Sequence, residues 1–222
     1  AAAKALGRED NDELRAVLGR ALVIGLGLAG LILLLQAPLV TVALRLVGAG
    51  AEVTPEAQTY IDIRIWAAPA ALANYAFIGW FIGLHRTRSV LALVLVMNLT
   101  NILLDLVLVV GLGYRTGGVA LASLVAEYLG LLVAIGLAWR ILRARPGRWR
   151  RAIVLERAAL LAMFRVNRDI FLRTLGLLFA FAFFTAQGAR LGELTVAANA
   201  VLMNFQSFMA YALDGFAHAA EA

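Results

Sequence analysis

The sequence contains no cysteine and only two histidines, His85 and His218, among its 222 residues. Without cysteine, neither a disulfide framework nor a thiolate metal site can form. Two isolated histidines also argue against a histidine-rich metal centre, and we expect no cofactor. Gly-x-Ser-x-Gly and His-x-x-x-His motifs are both missing. An intramembrane enzyme, which would need a nucleophile with its base or a metal cluster, is therefore not expected.

Apolar residues are in excess, at 63% of the chain, against about 45–50% in a soluble domain. They form continuous blocks of roughly 20 residues, the length a helix needs to cross the ~30 Å hydrocarbon core of a lipid bilayer. In lipid only helices or closed barrels satisfy every backbone group, and continuous rather than alternating blocks favour helices. The sequence predicts an all-α, polytopic membrane helix bundle. Its six transmembrane helices are placed at residues 17–40, 59–84, 90–111, 118–140, 170–187 and 194–217.

The formal net charge is +6, a value that in a soluble protein would suggest nucleic-acid binding. Here the basic residues are almost all arginines that lie between the apolar blocks, so no nucleic-acid partner is expected. Fifteen of them fall in residues 1–20, 85–89 and 140–168, and three fall in the segments of the opposite side. The positive-inside rule places the first group in the cytoplasm.

The arginine-rich segment at residues 140–168 is also the longest connection and the expected boundary between two bundles. We assign residues 1–142 to a first lobe with four transmembrane helices. Residues 143–166 form a basic cytoplasmic link, and residues 167–222 begin a second lobe with two transmembrane helices. Because the sequence begins with Ala1 and ends inside a helical pattern, we expect an internal piece of a longer protein.

The third predicted span carries the sharpest functional signal. Asn98, Asn101 and Asp105 are spaced i, i+3 and i+7, so they fall within an arc of about 60° on one helix face. Ser123, on the antiparallel fourth span, is expected at nearly the same depth as Asp105. An ionisable group inside the membrane is costly and is a functional hypothesis by default. We predict that Asp105, Asn101 and Ser123 form a site that loads and unloads a coupling ion; the alternative is a buried aspartate that joins helices.

Other polar residues within the spans are weaker candidates. Cavity-lining positions are predicted at Tyr60, Asn74, Tyr75, Asn98 and Glu127. Pro69 lacks a backbone N–H and should kink the second span.

Charged residues near the predicted cytoplasmic edge of the last two spans are also candidates. Asp169 and Arg173, an i, i+4 pair of opposite charge, are interpreted as a salt bridge or a gate. Tyr211, Asp214, His218 and Glu221 share one helix face and are interpreted as a solvated or lobe-bridging stripe, or as a proton path.

Seven short strings resemble the multidrug and toxic compound extrusion (MATE) family, and within it the DNA-damage-inducible protein F branch. The resemblance runs over nearly the whole chain, and the strings of the fifth and sixth spans are the most distinctive. They are PAALANY at residues 69–75, NLTNILLD at 98–105, GVALAS at 118–123, NRDIFLRT at 167–174, QGARLG at 187–192, AANAVL at 197–202 and LDGFA at 213–217.

The resemblance implies a twelve-helix exporter with two six-helix lobes around a central cavity, of which this chain would hold the third to eighth helices. Family members exchange protons or sodium for amphiphilic, often cationic compounds. The cation site of the first lobe would map onto Asn101, Asp105 and Ser123, where many relatives carry threonine at the last position. A key carboxylate of that site lies on the family's first helix, which this chain lacks.

The leading functional prediction is a proton-coupled, or else sodium-coupled, antiporter that exports drugs or amphiphilic metabolites. We expect cationic or neutral cargo, a monomeric transporter and a multi-pass location in a bacterial inner membrane. Two alternatives are kept open: a flippase for lipid-linked oligosaccharides from the same superfamily, which would need a basic central cavity, and a non-transporting membrane scaffold.

Overall fold

The computed structural model describes residues 2–47, 53–190 and 192–221, although some side chains within these ranges, such as that of Asp169, lie outside the description. Most of the described residues are helical, and they contain no strand. The helices are α1 (Ala2–Gly7), α2 (Asn11–Leu34), α3 (Gln36–Val47), α4 (Val53–Arg64), α5 (Ala68–Gly83), α6 (Thr87–Asp105), α7 (Arg115–Arg143), α8 (Arg151–Val154), α9 (Arg157–Arg190) and α10 (Glu193–Glu221).

Five stretches of the described residues are long and apolar enough to cross a membrane. They are Asn11–Leu34, Thr54–Gly83, Thr87–Gly111, Arg115–Arg143 and Phe171–Gly188. The prediction of an all-α, polytopic membrane protein is confirmed.

Five of the six predicted spans overlap these stretches, and the sixth stays a prediction. The sixth predicted span, residues 194–217, falls within α10 (Glu193–Glu221), which is not among the five stretches. Several side chains near both ends of this helix, including those of Leu194, Val196 and Asp214, lie outside the described residues. The described part of α10 therefore does not test this span.

The second span is interrupted at Pro69, where the sequence predicted a kink. A 3-10 turn at Ile65–Ala67 separates α4 from α5. Because Pro69 has no N–H, it cannot donate to the carbonyl of Ile65, and the N–H of Ala68 donates to that carbonyl instead. The Tyr128 hydroxyl of α7 donates to the carbonyl of Trp66 at 3.0 Å, which supplies a partner for a second carbonyl of the turn.

The first span also breaks close to a proline. Helix α2 ends at Leu34, and α3 follows with Pro38 in its first turn. The sequence placed the end of this span at residue 40, so the break occurs several residues earlier than predicted. The connection between the first two predicted spans lies partly outside the described residues, and its last part, from Val53, already belongs to α4.

Helix α7 packs against α4, α5 and α6 along a ridge of small residues. A ridge built from every fourth residue lets a neighbouring helix approach closely in a membrane. The buried members of this ridge are Gly118, Ala122, Ala126, Gly130, Ala134 and Ala138. A Cβ added at Gly130 would lie 2.5 Å from Cγ of Met97 on α6, so a larger residue here would displace the Met97 side chain.

An apolar core lies where α2 begins and α5 ends, on the predicted cytoplasmic side. It includes the fully buried side chains of Leu14, Leu18 and Phe81. The indole N–H of Trp80 donates to the carbonyl of Leu14 at 3.0 Å. These contacts hold α2 against α5 at the end from which the basic segment leaves α7.

The basic segment is fastened to α2 by arginine side chains. The Arg15 guanidinium donates to the carbonyls of Leu142 and Arg145 at 2.7 and 3.0 Å. Arg20 donates to the carbonyl of Ile153 at 3.3 Å and forms two 2.8 Å hydrogen bonds with the Glu13 carboxylate. The first half of the predicted link, up to Ile153, is therefore held against α2 by these hydrogen bonds.

The contacts divide the chain into two compact units, Ala1–Leu160 and Leu161–Ala222. The second unit holds most of α9 and all of α10. Helix α9 begins at Arg157, so the last part of the link predicted at residues 143–166 is helical. The lobe boundaries proposed from the sequence remain a prediction.

Candidate functional site

Asn101, Asp105 and Ser123 meet between α6 and α7. The Asn101 side-chain amide lies 3.1 Å from the Ser123 hydroxyl. In the amide orientation that gives each group a complementary partner, Nδ2 of Asn101 donates to Oδ2 of Asp105 at 3.3 Å. The Asn101 oxygen then accepts from the Ser123 hydroxyl at 3.1 Å and from the Ser123 backbone N–H at 3.2 Å. Asn101 thus bridges the carboxylate and the hydroxyl.

Asp105 keeps one carboxylate oxygen without a donor. Its Oδ1 atom is buried and finds no hydrogen-bond partner among the described residues. A buried oxygen without a donor is costly when it carries charge. A proton or a cation bound at this oxygen would reduce that cost.

The backbone changes directly after Asp105. Helix α6 ends at this residue, and a π-helical turn follows at Leu106–Gly111. In this turn the N–H of Leu112 donates to the carbonyl of Val107, five residues earlier, at 2.9 Å. Single π-helical turns occur frequently at functional sites.

Asn98 does not join this cluster. Its side chain is exposed, and its Nδ2 donates to the carbonyl of Val94 in its own helix at 3.0 Å. The periodicity that placed Asn98 near Asn101 and Asp105 is correct for α6. However, the cluster forms against α7, and Asn98 is one turn from the level at which Ser123 lies.

A second polar cluster lies between α4, α5 and α7, around Glu127. Asn74 is 1% exposed, and its Nδ2 donates both to Oε2 and to the backbone carbonyl of Glu127, each at 2.9 Å. Arg64 donates to Oε1 of Glu127 at 3.3 Å, with 31% of its side chain exposed against 15% for Glu127. Oδ1 of Asn74 is buried without a partner among the described residues. The Glu127 carboxylate is therefore held on one side by a buried amide and on the other by a cation.

The sequence located Asn74 and Glu127 but not their partner Arg64. The predicted span begins at residue 59, which would place Arg64 close to the membrane surface. In the structure α4 begins at Val53 and α7 begins at Arg115. Arg64 lies eleven residues after the first of these positions, and Glu127 lies twelve residues after the second. Arg64 and Glu127 therefore lie at about the same depth, and correct helix start positions would have predicted their contact.

The other predicted site residues lie elsewhere. Tyr75 is 71% exposed, so it does not share the buried surroundings of Asn74, and Tyr60 is half-buried on α4. Arg173 is exposed on α9, whereas the side chain of Asp169 lies outside the described residues, so their pairing remains a prediction. The side chains of Asp214, His218 and Glu221 in the predicted polar stripe also lie outside them.

This arrangement defines a multi-pass helical membrane protein with polar groups between its spans. Residues 1–107 match the MatE family model. Over 220 residues the chain is 40% identical to DNA damage-inducible protein F of Escherichia coli (strain K12), covering 99% of this chain and 48% of that protein. It is also 32% identical over 85 residues to Protein DETOXIFICATION 44, chloroplastic, of Arabidopsis thaliana, which covers 38% of this chain and 16% of that protein. No solved structure gives a significant match.

These matches confirm the resemblance to the multidrug and toxic compound extrusion family and to its DNA-damage-inducible protein F branch. The chain spans about half the length of the Escherichia coli relative, at 48%.

Proposed function

We propose that this chain forms part of a secondary active transporter that exports drugs or amphiphilic metabolites from a bacterial cell in exchange for protons. Sodium is the alternative coupling ion. Such a transporter would lie in the bacterial inner membrane, act as a monomer and use no cofactor. The family resemblance supports transport. The observation that supports the coupling mechanism is the buried Oδ1 atom of Asp105, which has no donor among the described residues.

Asp105 has the surroundings that reversible ion binding requires. One of its oxygens is fixed by Asn101, while the other is buried with no donor among the described residues. When a proton or cation binds to the second oxygen, the buried negative charge is neutralised. When it leaves, Asn101 and Ser123 still hold the carboxylate in place. The site can therefore alternate between a charged and a neutralised state while its side chains keep their positions.

Glu127 supplies a second carboxylate that suits cationic cargo. Because Asn74 fixes it independently of Arg64, the carboxylate would stay in position if Arg64 moved away. A cationic substrate could then replace the guanidinium while the negative charge stays compensated, which avoids an unpaired charge in the membrane.

The same pair weakens the flippase alternative. A flippase for lipid-linked oligosaccharides would need a basic interior to hold a pyrophosphate, but Arg64 is neutralised by Glu127 at 3.3 Å. A non-transporting scaffold would have no use for a buried carboxylate oxygen that lacks a donor.

The test uses the intact protein that contains this chain, reconstituted in liposomes and loaded with ethidium as a fluorescent cation. Efflux is measured under a pH gradient alone and under a sodium gradient alone. We expect one gradient to drive efflux and Asp105→Asn to reduce that efflux at least about tenfold, equivalent to ~1.4 kcal/mol. The reason is that asparagine keeps the shape of the side chain but cannot exchange a proton.

Asn98→Ala is the matched control, since Asn98 lies on the same helix but bonds only to its own backbone. It should retain most of the efflux. Efflux by Asp105→Asn at the wild-type rate would refute the coupling role of Asp105. If neither gradient drives efflux by the wild-type protein, the transport proposal itself fails for this cargo.

A further inference from the structure

A basic cavity of about 560 Å³ opens between the start of α6 and the end of α7, on the predicted cytoplasmic side. Arg86, which directly precedes α6, and Ser89 in its first turn line one side, and Arg140 and Arg145 line the other from the end of α7 and the turn that follows. No aspartate or glutamate lines the cavity. Three cations therefore face one open space.

The three guanidinium groups have no protein counter-ion within the part of the chain that the structure describes. Other arginines of the same predicted side are engaged: Arg15 donates to backbone carbonyls, and Arg20 is paired with Glu13. Like charges that share a cavity repel one another. The cavity is therefore a place where a bound anion would stabilise the protein.

The backbone that carries these arginines is held in place. The carbonyl of Arg145 accepts from the Arg15 guanidinium at 3.0 Å, and its N–H donates to the carbonyl of Leu142 at 3.3 Å. The N–H of Arg86 donates to the carbonyl of Phe81 at 2.9 Å. Because the chain is already ordered at these positions, an anion would bind with little added ordering cost.

The chemistry of the lining identifies the ligand class. Guanidinium groups bind phosphate oxygens through paired, charge-assisted hydrogen bonds. Leu137 and Ile141, one turn apart on α7, supply an apolar wall to the same cavity, which suits the hydrocarbon part of a lipid. Basic cavities between transmembrane helices on the cytoplasmic side bind anionic headgroups. We propose that this cavity binds the phosphate headgroup of an anionic phospholipid.

The test is native mass spectrometry of the intact protein released from vesicles made of equal parts phosphatidylglycerol and phosphatidylcholine with identical acyl chains. We expect the wild-type protein to retain phosphatidylglycerol in preference to phosphatidylcholine. The triple variant Arg86→Gln/Arg140→Gln/Arg145→Gln should lose this preference by about tenfold. Because the replaced side chains have no described protein partners, the variant should fold, and Arg86→Gln alone should show a smaller loss in the same direction.

The matched control is Arg8→Gln/Arg148→Gln/Arg151→Gln, which removes the same charge from exposed positions of the same predicted side that do not line the cavity. It should keep the preference. Equal losses in both triple variants, or no preference for phosphatidylglycerol in the wild-type protein, would overturn the proposal. Displacement of phosphatidylglycerol by millimolar inorganic phosphate would also overturn it, since the cavity would then be a site for soluble phosphate.

Discussion

Two Arg–Glu pairs in the first unit differ in the number and length of their hydrogen bonds and in the exposure of their arginine side chains. Arg20 and Glu13, near the predicted cytoplasmic end, share two hydrogen bonds of 2.8 Å, and the Arg20 side chain is 5% exposed. Arg64 and Glu127, within the predicted membrane spans, share one contact of 3.3 Å, and the Arg64 side chain is 31% exposed. The first pair is suited to fixing the structure, and the second is suited to exchanging partners.

The same contrast extends to the surroundings of each pair. At the predicted cytoplasmic end, Arg15, Trp80 and Asp12 each bond to a backbone group of another segment. Between the spans, Asp105 and Asn74 each keep a buried oxygen without a described partner. Full satisfaction of polar groups gives rigidity, whereas a missing donor leaves a place for a proton, a cation or a substrate group.

The largest effect on stability is expected for Glu13→Ala. The change leaves the buried Arg20 guanidinium without its carboxylate, and breaking a buried pair costs about 3–5 kcal/mol. The expected value is at the lower end, because Glu13 is itself 35% exposed. Thermal unfolding of the purified protein in detergent measures this loss. An unchanged unfolding temperature would show that the pair does not fix the structure.

The second-largest effect on stability is expected for Gly147→Ala, which lies in the basic segment that follows α7 and contacts α2. Gly147 has φ +147°, and a Cβ there would lie 2.5 Å from Nη1 of Arg15. Strained backbone of this kind costs about 1–3 kcal/mol, and the Arg15 contacts would have to shift as well. Limited proteolysis between α7 and α8 should become faster than in the wild-type protein. Gly136→Ala, where an added Cβ meets nothing within 4 Å, is the control and should leave the rate unchanged.

Ser123→Ala should have a smaller effect on stability but a clear effect on transport. It removes a hydroxyl that hydrogen-bonds the Asn101 side chain, at a cost of about 1 kcal/mol. Asn101 then holds Asp105 less firmly, so gradient-driven ethidium efflux should fall severalfold. Ser123→Thr keeps the hydroxyl and should restore efflux. Equal efflux by the alanine and threonine variants would exclude Ser123 from the site.

Arg64→Gln should have the smallest effect on stability, about 1 kcal/mol, because it removes one contact of 3.3 Å while the Asn74 amide still donates to the Glu127 carboxylate at 2.9 Å. Binding of ethidium should nevertheless tighten, since the cation no longer competes with Arg64 for Glu127. Fluorescence titration of the purified protein measures this change. Weaker binding by Arg64→Gln than by the wild-type protein would contradict the role of Glu127 as a carboxylate for cationic cargo.

The all-helical membrane fold could be predicted because continuous apolar blocks and short polar connections are local properties of the sequence. The Asn101–Asp105–Ser123 contact could be predicted because two residues share a helix face and the third lies on the next helix at matched depth. Asn98 shows the limit of this approach: helical periodicity gives the angle of a side chain but not its partner.

Arg64 was missed because its depth depends on where α4 begins, and the sequence signal for that position is weak. The polar residues of Val53–Arg64 resemble a connection, yet they form a helix that continues the apolar span. In the same way, Asp12, Arg15 and Arg20 contact residues more than a hundred positions away in the sequence. No local pattern predicts such contacts.

The most direct test of the central claim, that Asp105 carries the coupling ion, is to drive the exchange in reverse. Liposomes containing the intact protein receive an ethidium gradient alone, and a trapped dye sensitive to pH or to sodium reports ion movement. The wild-type protein should move the ion against the ethidium flow, and Asp105→Asn should move none while still binding ethidium. Ion movement by Asp105→Asn at the wild-type rate would contradict the account.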